Sequence, residues 1–450
     1  MKNVLMIFDQ FPPYHMSGSA RSLYFAKHLS EFGYYPTVIA GRIPPKHEPD
    51  DELMAELDGR CKVLRTEYWS VRRLVNALRH PLRIRHSPSL PADLPLPVAG
   101  DELPPHWTYL ARRMYLSVAW TCPAVCLGMR TLLRTRSDII WATGPAWSNL
   151  LAGYWLSVLT GTPLVADLRD PWTYGVLWKP PTPALARIER RWETRVLRRA
   201  DRTVFTSPLT TAIMRDRIGP PAAQRFVTIT NGFTEANVQP RRDWLQDKCL
   251  FRYVGRLFEH RDPALLLEGL RLACHDPEVA RDVRVQFIGG MSAFEPRIAE
   301  FGLQEQVDDV GAVSRRESLE YMQGADVLVL LQTITGPGRD VVSGKAFEYI
   351  GAHKPILAIV PEDGGDAWLI RTTRSGTVSG LRDPRSVADG ILRLWRLWKQ
   401  GRLDTAAAHT DIARFSRRNL TRQLALHFDD VLSERRRVHR PHPCRSAGDT

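Results

Sequence analysis

The chain has 450 residues, of which 44% are hydrophobic, and a formal net charge of +13. This length exceeds one ordinary hydrophobic core and suits two domains of roughly 200 residues each. The apolar fraction excludes wholesale disorder. The charge favours an anionic partner, which leaves phosphates, an anionic membrane face and nucleic acid as candidates.

The cysteines and the N-terminus indicate the compartment. Six cysteines are scattered without a Cys-x-x-Cys pair, and Cys122 and Cys126 have no second pair with which to form a zinc site. We expect thiols in a reducing compartment. The opening MKNVLMIFDQF has an apolar run of only about five residues, too short for a signal peptide, and no stretch of about 18 apolar residues follows. We therefore expect a cytoplasmic protein, with peripheral binding at the inner membrane face as the alternative.

The first segment predicts a βαβ unit. A strand over Val4–Phe8 is followed by a loop, a helix over Ser19–Phe32, a stop at Gly33 and a second strand over Thr37–Ala40. This pattern is typical of a parallel, doubly wound sheet.

Residues 44–105 interrupt the pattern, because prolines recur among arginines and hydrophobic periodicity is weak. We interpret them as a divergent insertion of surface loops and short helices. The alternation then resumes. Helices are predicted over Trp107–Arg134, Asn149–Thr160 and Ala184–Ala200, and strands in DIIWATG, PLVADL and RTVFTS.

A polar, aperiodic stretch, 235–248, predicts a linker between an N-terminal domain (1–234) and a C-terminal domain (249–410). The second half again alternates, with strands in LFRYVG, VRVQFIGG, ADVLVLLQ and PILAIV. A helix within 411–433 is expected to pack back toward the N-terminal domain, and the tail 434–450 to be disordered. The fold class predicted is α/β, with two Rossmann-like domains facing each other across a cleft.

Ligands of parallel α/β sheets bind where strands end and helices begin, so residues at those points are the site candidates. In the first half, Gly18 and Ser19 precede a helix and let the backbone approach a ligand, unless they form only a flexible turn. Arg169 and Asp170 in DLRDPW follow a strand and suit a cleft wall, the alternative being a surface ion pair.

In the second half, Arg256 and Arg261 bracket a short loop after Gly255 and before a helix. Two cations at that point can hold a diphosphate and stabilise it as a leaving group; the alternative is two solvated arginines. Asp340 and Glu348 lie eight residues apart across a helix start. Such a carboxylate can accept hydrogen bonds from the hydroxyl groups of a ribose or hexose, or it can serve only as a helix cap.

Several motifs occur together in a fixed order: the N-terminal strand and glycine loop, DIIWATGPAWSNLLAGYWLSVLTGTPLVADLRDPW, ADRTVFTS, TNGF, YVGRL, FIGG, DVGAVSRRESLEYMQGADVLVLL and SGKAFEYIGAHKPILAI. On these motifs the chain resembles the family 4 retaining glycosyltransferases of GT-B fold, especially bacterial members that make cell-surface polysaccharides. The resemblance covers about residues 1–433, with 44–105 diverging.

The resemblance implies roles for the C-terminal residues. Arg256 matches the family's characteristic Arg, and Arg261 stands where a Lys is usual; the pair would contact the donor diphosphate with a planar fork in place of a point charge. Glu348 ends the family's E-x7-E pattern and would bind the donor ribose. Asp340 replaces the first Glu of that pattern, one methylene shorter, and would serve catalysis.

On the N-terminal side, the resemblance places Gly18, with Ser19, near the donor phosphates and the acceptor. It assigns a catalytic role to Arg169 and Asp170, which stand where many members have His. It implies transfer with retention at the anomeric carbon, with a nucleotide-diphosphate sugar as donor and a sugar or polyprenyl-linked acceptor. It requires no metal and no further cofactor.

Between Arg60 and Arg136 there are thirteen Lys or Arg residues and four Asp or Glu, interleaved with aromatics. This composition suits an anionic lipid surface, or else a solvated basic face. Three rival functions stay open: a nucleotide-sugar epimerase of the same architecture, a phosphorylase with Lys345 holding pyridoxal phosphate, and a basic nucleic-acid-binding protein. Because the last explains the charge but not the ordered motifs, we expect no nucleic-acid partner.

Overall fold

The chain forms two compact units, seen in a computed structural model. The first unit comprises Met1–Phe205, Thr211–Ile229 and the chain from Thr421 onward, and the second comprises Thr206–Thr210 and Thr230–Leu420. The structure describes residues 1–12, 19–42, 55, 57, 59–69, 116–175, 178–234, 238–241, 245, 247–257, 261–291 and 294–438.

The first unit is built on a seven-stranded parallel sheet with the order β3-β2-β1-β4-β5-β6-β7. Its strands are β1 Lys2–Ile7, β2 Tyr34–Gly41, β3 Lys62–Thr66, β4 Ile139–Gly144, β5 Leu164–Leu168, β6 Arg202–Phe205 and β7 Phe226–Thr228. Val4 of β1 pairs with Pro36 on one side and Ile139 on the other. The strand order therefore reverses between β1 and β4, which is the switch point of a doubly wound sheet.

Helices cover this sheet, and the strands read as continuous apolar runs because both faces are buried. The helices are α1 Ser19–His28, α2 Leu116–Arg134, α3 Trp147–Thr160, α4 Pro183–Arg199 and α5 Pro208–Ile218. After α1 a 3-10 turn over Leu29–Phe32 ends at Gly33, whose φ of 84° is the left-handed conformation that favours glycine. The predicted stop at Gly33 is confirmed.

The second unit repeats the plan with six parallel strands in the order β10-β9-β8-β11-β12-β13. They are β8 Cys249–Val254, β9 Val283–Ile288, β10 Val307–Gly311, β11 Val327–Leu331, β12 Ile356–Ile359 and β13 Gly376–Ser379. Counted within each unit, the first six strands of both sheets follow the order 3-2-1-4-5-6. The predicted α/β fold with two Rossmann-like domains is confirmed.

Alternate residues of the second sheet enter two separate hydrophobic clusters. Val327, Val329 and Leu331 pack in one, and Leu328 and Leu330 in the other, so helices cover both faces. The helices of this unit are α6 Ala264–Ala273, α7 Pro277–Asp282, α8 Pro296–Glu300, α9 Arg315–Gln323, α10 Gly344–Gly351, α11 Gly365–Thr373 and α12 Pro384–Lys399. The last helix, α13 Arg417–Val438, belongs to the first unit from Thr421 onward.

One prediction for the stretch 44–105 is wrong, since it includes strand β3 rather than only loops and short helices. β3 pairs in parallel with β2, with Thr37 opposite Lys62. Its residues are only partly buried, as expected at a sheet edge, and so they lack the apolar run that identifies the central strands. The remaining described residues of this stretch carry no further strand.

The unit boundaries also differ from the sequence expectation. The second unit already begins at Thr230, and Arg241, inside the predicted linker, donates a backbone hydrogen bond of 2.9 Å to the Glu320 carbonyl. Helix α13 continues beyond 433 to Val438, and Arg435 contacts Asp201 at 2.7 Å. Residues 439–450 of the predicted tail lie outside the described residues. None of the helices in the described ranges has the length and apolarity of a membrane span.

Candidate active site

The switch point of the second sheet lies between β8 and β11. Gly255 follows β8 directly and adopts a φ of +126°, and a Cβ built there would come within 2.1 Å of Lys345 Nζ. Any residue other than glycine would therefore be strained by this backbone conformation and would displace the lysine amine. Arg256, the next residue, is exposed beside this close approach.

Lys345 lies in the first turn of α10, behind the N-cap Ser343, and is largely buried. Its Nζ donates a hydrogen bond of 2.7 Å to the Tyr253 hydroxyl and lies 4.0 Å from the centroid of that ring. Burial, with the positive charge of Arg261 as a second cause, lowers the pKa of Lys345 to about 6, although Glu348 opposes the shift.

Tyr253 connects the loop of Arg256 and Arg261 with Lys345 on α10. Arg261 forms a hydrogen bond with the side chain of Tyr253, and the Tyr253 hydroxyl donates to the Arg256 carbonyl at 3.1 Å. Burial raises the pKa of Tyr253 to about 12, so the phenol stays protonated near neutrality. The structure thus brings Arg261 and Lys345 to one tyrosine, and Lys345 is a site residue that the motif analysis did not assign to the donor site.

Glu348, one turn further along α10, accepts a hydrogen bond of 2.6 Å from Arg315 Nη2. The Arg315 side chain is 58% exposed and that of Glu348 25% exposed, so solvent reaches the pair. An exposed ion pair contributes little stability, and its partner can exchange for a ligand at small cost. The position is compatible with the predicted role of Glu348 toward hydroxyl groups.

Asp340 is buried, and protein donors occupy its carboxylate. Oδ2 accepts from Thr210 Oγ1 at 2.5 Å, Oδ1 accepts from the Gly338 N–H at 3.1 Å, and the Asp340 carbonyl accepts from Ser207 Oγ at 2.5 Å. These bonds fix the loop before α10. The predicted catalytic role of Asp340 stays a prediction beside this anchoring role.

A second buried carboxylate, Asp366 at the start of α11, was missed by sequence reasoning. Its Oδ1 accepts from the Ser343 N–H at 2.8 Å, and Oδ2 has no hydrogen-bond partner among the described residues. Burial raises the pKa of Asp366 to about 6. Asp366 therefore fixes the N-terminus of the helix that carries Lys345 and Glu348.

The first unit places polar groups at its own switch point, after β1 and β4. Asp9 is buried, and it accepts hydrogen bonds of 3.1 Å from both Asn149 Nδ2 and the Tyr68 hydroxyl. Burial raises the pKa of Asp9, against the opposing hydrogen bonds and the charge of Arg169. Neither Asp9 nor Asn149 was singled out from the sequence, because they lie 140 residues apart.

The predicted residues of the first unit fall around this point. Arg169 Nε donates to the Gly144 carbonyl at 2.5 Å, its guanidinium lies 5.4 Å from the Phe8 ring centroid, and burial lowers its pKa. Asp170 beside it is partly buried. Ser19 is buried, with its hydroxyl donating to the Gln10 carbonyl at 3.2 Å, and Gly18 lies outside the described residues.

A buried ion pair between Arg21 and Asp167 lies next to these residues. Asp167, fully buried at the end of β5, accepts two hydrogen bonds of 2.9 Å from Arg21 and one of 3.1 Å from Thr143. A bidentate pair of this kind fixes both side chains. The pair therefore connects α1 to the strand that ends beside Arg169.

The ranges that the structure describes contain no group of three or more His, Cys, Asp or Glu side chains that could hold a metal ion. The conspicuous charges at the second switch point are instead those of arginine and lysine.

Comparison with known proteins agrees with this geometry. Residues 18–232 match the model of the glycosyl transferase 4-like domain. No curated protein sequence matches the chain. The two Rossmann-like units have the GT-B fold, and the match over the first unit supports a glycosyltransferase-type enzyme.

Solved structures share the fold at low sequence identity. HepE of Anabaena, in complex with UDP, is 15% identical with a TM-score of 0.62, covering 96% of this chain and 100% of its own. Sucrose-phosphate synthase of Thermosynechococcus elongatus is 13% identical with a TM-score of 0.57, covering 98% of each chain. A Listeria monocytogenes protein assigned as a UDP-N-acetylglucosamine 2-epimerase is 11% identical with a TM-score of 0.55, covering 96% of this chain and 98% of its own.

Proposed function

We propose that this enzyme moves a hexosyl group from a nucleoside-diphosphate sugar to a hydroxyl acceptor, with retention at the anomeric carbon. The observation that carries the proposal is the group of cations at the second switch point, Arg256, Arg261 and Lys345, beside Glu348. HepE, which shares the fold, has been solved with UDP and with UDP and glucose, which favours a UDP-sugar as the donor class.

The donor would bind through its two charged and hydroxylated parts. Arg256 and Arg261 hold the diphosphate, and the N-terminus of α10 adds a favourable dipole. Gly255 lets the phosphates approach the backbone. Glu348 accepts hydrogen bonds from the ribose hydroxyls, which replace its solvent-accessible contact with Arg315.

The reaction then needs charge stabilisation and positioning more than a protein nucleophile. The bond between the anomeric carbon and the β-phosphate oxygen breaks, and the nucleoside diphosphate leaves with the bonding electrons. The acceptor oxygen forms its bond to the same face of the carbon, and its proton passes to the departing phosphate. Fixed cations around the leaving group lower the barrier because they require no reorganisation as the charge develops. This scheme uses no metal and no further cofactor.

The acceptor is proposed to bind the first unit, near Arg169 and Asp170. Both lie at the carboxyl ends of the strands, where polar groups converge. The acceptor proposed is a sugar, free in a polysaccharide or linked to a polyprenyl carrier, at the cytoplasmic face of a membrane. A carrier of that kind would require peripheral contact of the enzyme with lipid.

A nucleotide-sugar epimerase is the second candidate, because the Listeria protein shares the architecture. The two reactions differ in what they need. An epimerase converts the nucleotide sugar without an acceptor, whereas a transferase releases nucleoside diphosphate only when an acceptor is present, apart from slow hydrolysis. Nuclear magnetic resonance of the nucleotide sugar with enzyme alone separates them.

The deciding experiment is a thermal-shift screen with UDP, GDP, ADP and their sugars. A ligand of the native state raises the melting temperature, and a ligand at 100 times its Kd adds about 2.7 kcal/mol. We expect one nucleotide series, that of uridine, to raise it. The anomeric coupling constant of the product then tests retention. If no nucleotide changes melting and only nucleic acid binds, with a steep salt dependence, the chain is instead a nucleic-acid-binding protein.

A further inference from the structure

Four exposed apolar side chains of the first unit gather on two neighbouring helices. Trp155, Val158 and Leu159 lie on α3 with exposed fractions of 39%, 45% and 57%, and Ile188 on α4 is 49% exposed. Trp192 of α4 connects them, since its ring centroid is 6.2 Å from that of Trp155 and it lies one helical turn from Ile188. We name this set, with Trp192, the α3–α4 apolar face.

Arginines border the α3–α4 apolar face. Arg187, Arg191, Arg195 and Arg198 are exposed on α4. They follow the helical spacing of three or four residues, so they share the outward side with Ile188. Arg195 also lies 5.1 Å from the Trp192 ring centroid, which couples the basic edge to the aromatic one.

The acidic residues of α4 lie on the other side of the helix from these arginines. Glu193 is buried and accepts from the backbone N–H groups of Trp172 and Thr173, and Glu189 accepts from Trp178 Nε1 at 2.6 Å. The opposite side of the helix is fixed in the core by Val196 and Leu197. The outward side is therefore apolar and basic, and its orientation is set by a rigid helix.

We propose that the α3–α4 apolar face, with its border of arginines, docks the enzyme on an anionic lipid bilayer. Tryptophan and aliphatic side chains enter the interfacial region while arginines contact anionic headgroups, which is the composition of a membrane-surface helix. The proposal rests on the proposed function in one respect: a lipid-linked acceptor is the reason for the enzyme to bind a membrane. It assigns the contact to a face other than the predicted basic stretch Arg60–Arg136.

Charge and shape argue against the other occupants. A second copy bound through a two-fold interface would bring two basic borders into one interface, and the α3–α4 apolar face contains no acidic side chain to pair with them, so like charges disfavour it. Nucleic acid would match the arginines but not Val158, Leu159 and Ile188, because aliphatic groups gain little against a phosphate backbone. Of these three occupants, only a lipid bilayer contacts both the apolar side chains and the arginines favourably.

Co-sedimentation with vesicles tests the docking surface. The full chain is mixed with phosphatidylcholine vesicles, with and without phosphatidylglycerol. The first variant changes Arg187, Arg191 and Arg198 to Glu, and the second changes Val158, Leu159 and Ile188 to Ser. The matched control reverses three exposed arginines of the second unit, Arg382, Arg393 and Arg396, to Glu.

We expect the wild type to sediment only with anionic vesicles and less at high salt. The arginine variant should bind on the order of a hundredfold more weakly, the serine variant should also release, and the control should bind as the wild type does. Three outcomes overturn the proposal: no binding by the wild type, unchanged binding by both variants, or loss only when Arg72, Arg73, Arg112 and Arg113 become Glu. UDP-dependent melting measured on the same samples tests the proposed function separately, since it does not depend on vesicles.

Discussion

Lys345 Nζ donates a hydrogen bond of 2.7 Å to the Tyr253 hydroxyl, to which Arg261 also binds. Two cationic side chains therefore share one neutral phenol in a largely buried place. Such an arrangement is costly while both carry charge, and an anion that enters between them removes the cost. A diphosphate carries negative charge that would offset both cations.

The first prediction concerns the pH dependence of donor binding. The pKa of Lys345 in the free protein is about 6, so the amine is mostly neutral above pH 6. A bound diphosphate stabilises the ammonium form, and binding above pH 6 then takes up a proton. Affinity for UDP-glucose, whose phosphates do not titrate in this range, should fall as pH rises above 6, by up to about tenfold per pH unit.

Isothermal titration calorimetry in buffers of different ionisation enthalpy measures that proton directly. Tyr253, Arg261 and Glu348 face Lys345, and Arg315 pairs with Glu348; of these, Arg261 disfavours the ammonium and Glu348 favours it. The variant Lys345→Met should lose most of the pH dependence between pH 6 and 8 and most of the proton uptake, and what remains belongs to Asp366, whose pKa is about 6. Equal slopes in both proteins would exclude Lys345 as the titrating group.

The second prediction is that Arg256→Ala and Glu348→Ala each abolish most transfer while the fold stays intact. Arg256 is exposed, and the ion pair of Glu348 with Arg315 is open to solvent, so neither change should lower stability by more than about 1 kcal/mol. Loss of a leaving-group contact costs on the order of 10²- to 10³-fold in turnover. Arg315→Ala is the control, because it removes the same ion pair and keeps the carboxylate. Near-wild-type turnover by the first two variants, with normal melting, would contradict the donor site.

The third prediction separates anchoring from catalysis at Asp340. Asp340→Ala leaves the Thr210 hydroxyl and the Gly338 N–H without their acceptor, so we expect a loss of about 1–3 kcal/mol in the free energy of unfolding. Asp340→Asn keeps the shape and one acceptor oxygen, and should fold. Thermal melting and turnover of both variants are measured side by side. Normal melting of the alanine variant would refute the anchoring role, and an inactive but stable asparagine variant would establish a catalytic one.

The fourth prediction concerns the buried pair of Arg21 and Asp167. Removing one partner leaves a buried charge uncompensated, which costs about 3–5 kcal/mol. We therefore expect Arg21→Met to destabilise the first unit strongly in denaturant unfolding. Arg42→Met is the matched control, since Arg42 pairs with Glu67 while its own side chain is 64% exposed, and it should change stability by less than about 1 kcal/mol. Similar effects from both variants would mean that burial does not govern the pair.

Much of this fold could be predicted from the sequence because central strands of parallel sheets are short apolar runs, as in Val327–Leu331. Edge strands could not be identified in this way. β3 has partly buried residues in KVLRT, and its place depends on pairing with a distant β2. The same reason hides the contact of Asp9 with Asn149, which only the folded sheet brings together.

The candidate site was predictable in part. Glycine, arginine and a helix start coincide at Gly255–Arg261, and this pattern can be recognised from neighbouring residues in the sequence. Lys345 gave a local signal as well, because a cation in the first turn of a helix opposes the helix dipole and needs another reason to be there. Its contact with Tyr253 joins residues 92 apart, so the partner could not be read from the sequence.

The last prediction is that transfer does not depend on a divalent metal. In the proposed reaction the charge of the leaving diphosphate is balanced by Arg256, Arg261 and a protonated Lys345, which together can do what a bound cation does in other transferases. Activity measured after dialysis against excess EDTA should therefore equal that of the untreated enzyme, and added Mg²⁺ or Mn²⁺ should not raise it. Lys345→Met provides the complementary test. If the side-chain cations carry the charge, this variant should lose turnover with or without metal. Activity that disappears with EDTA, returns with Mn²⁺ and is insensitive to Lys345→Met would assign the charge to a metal instead.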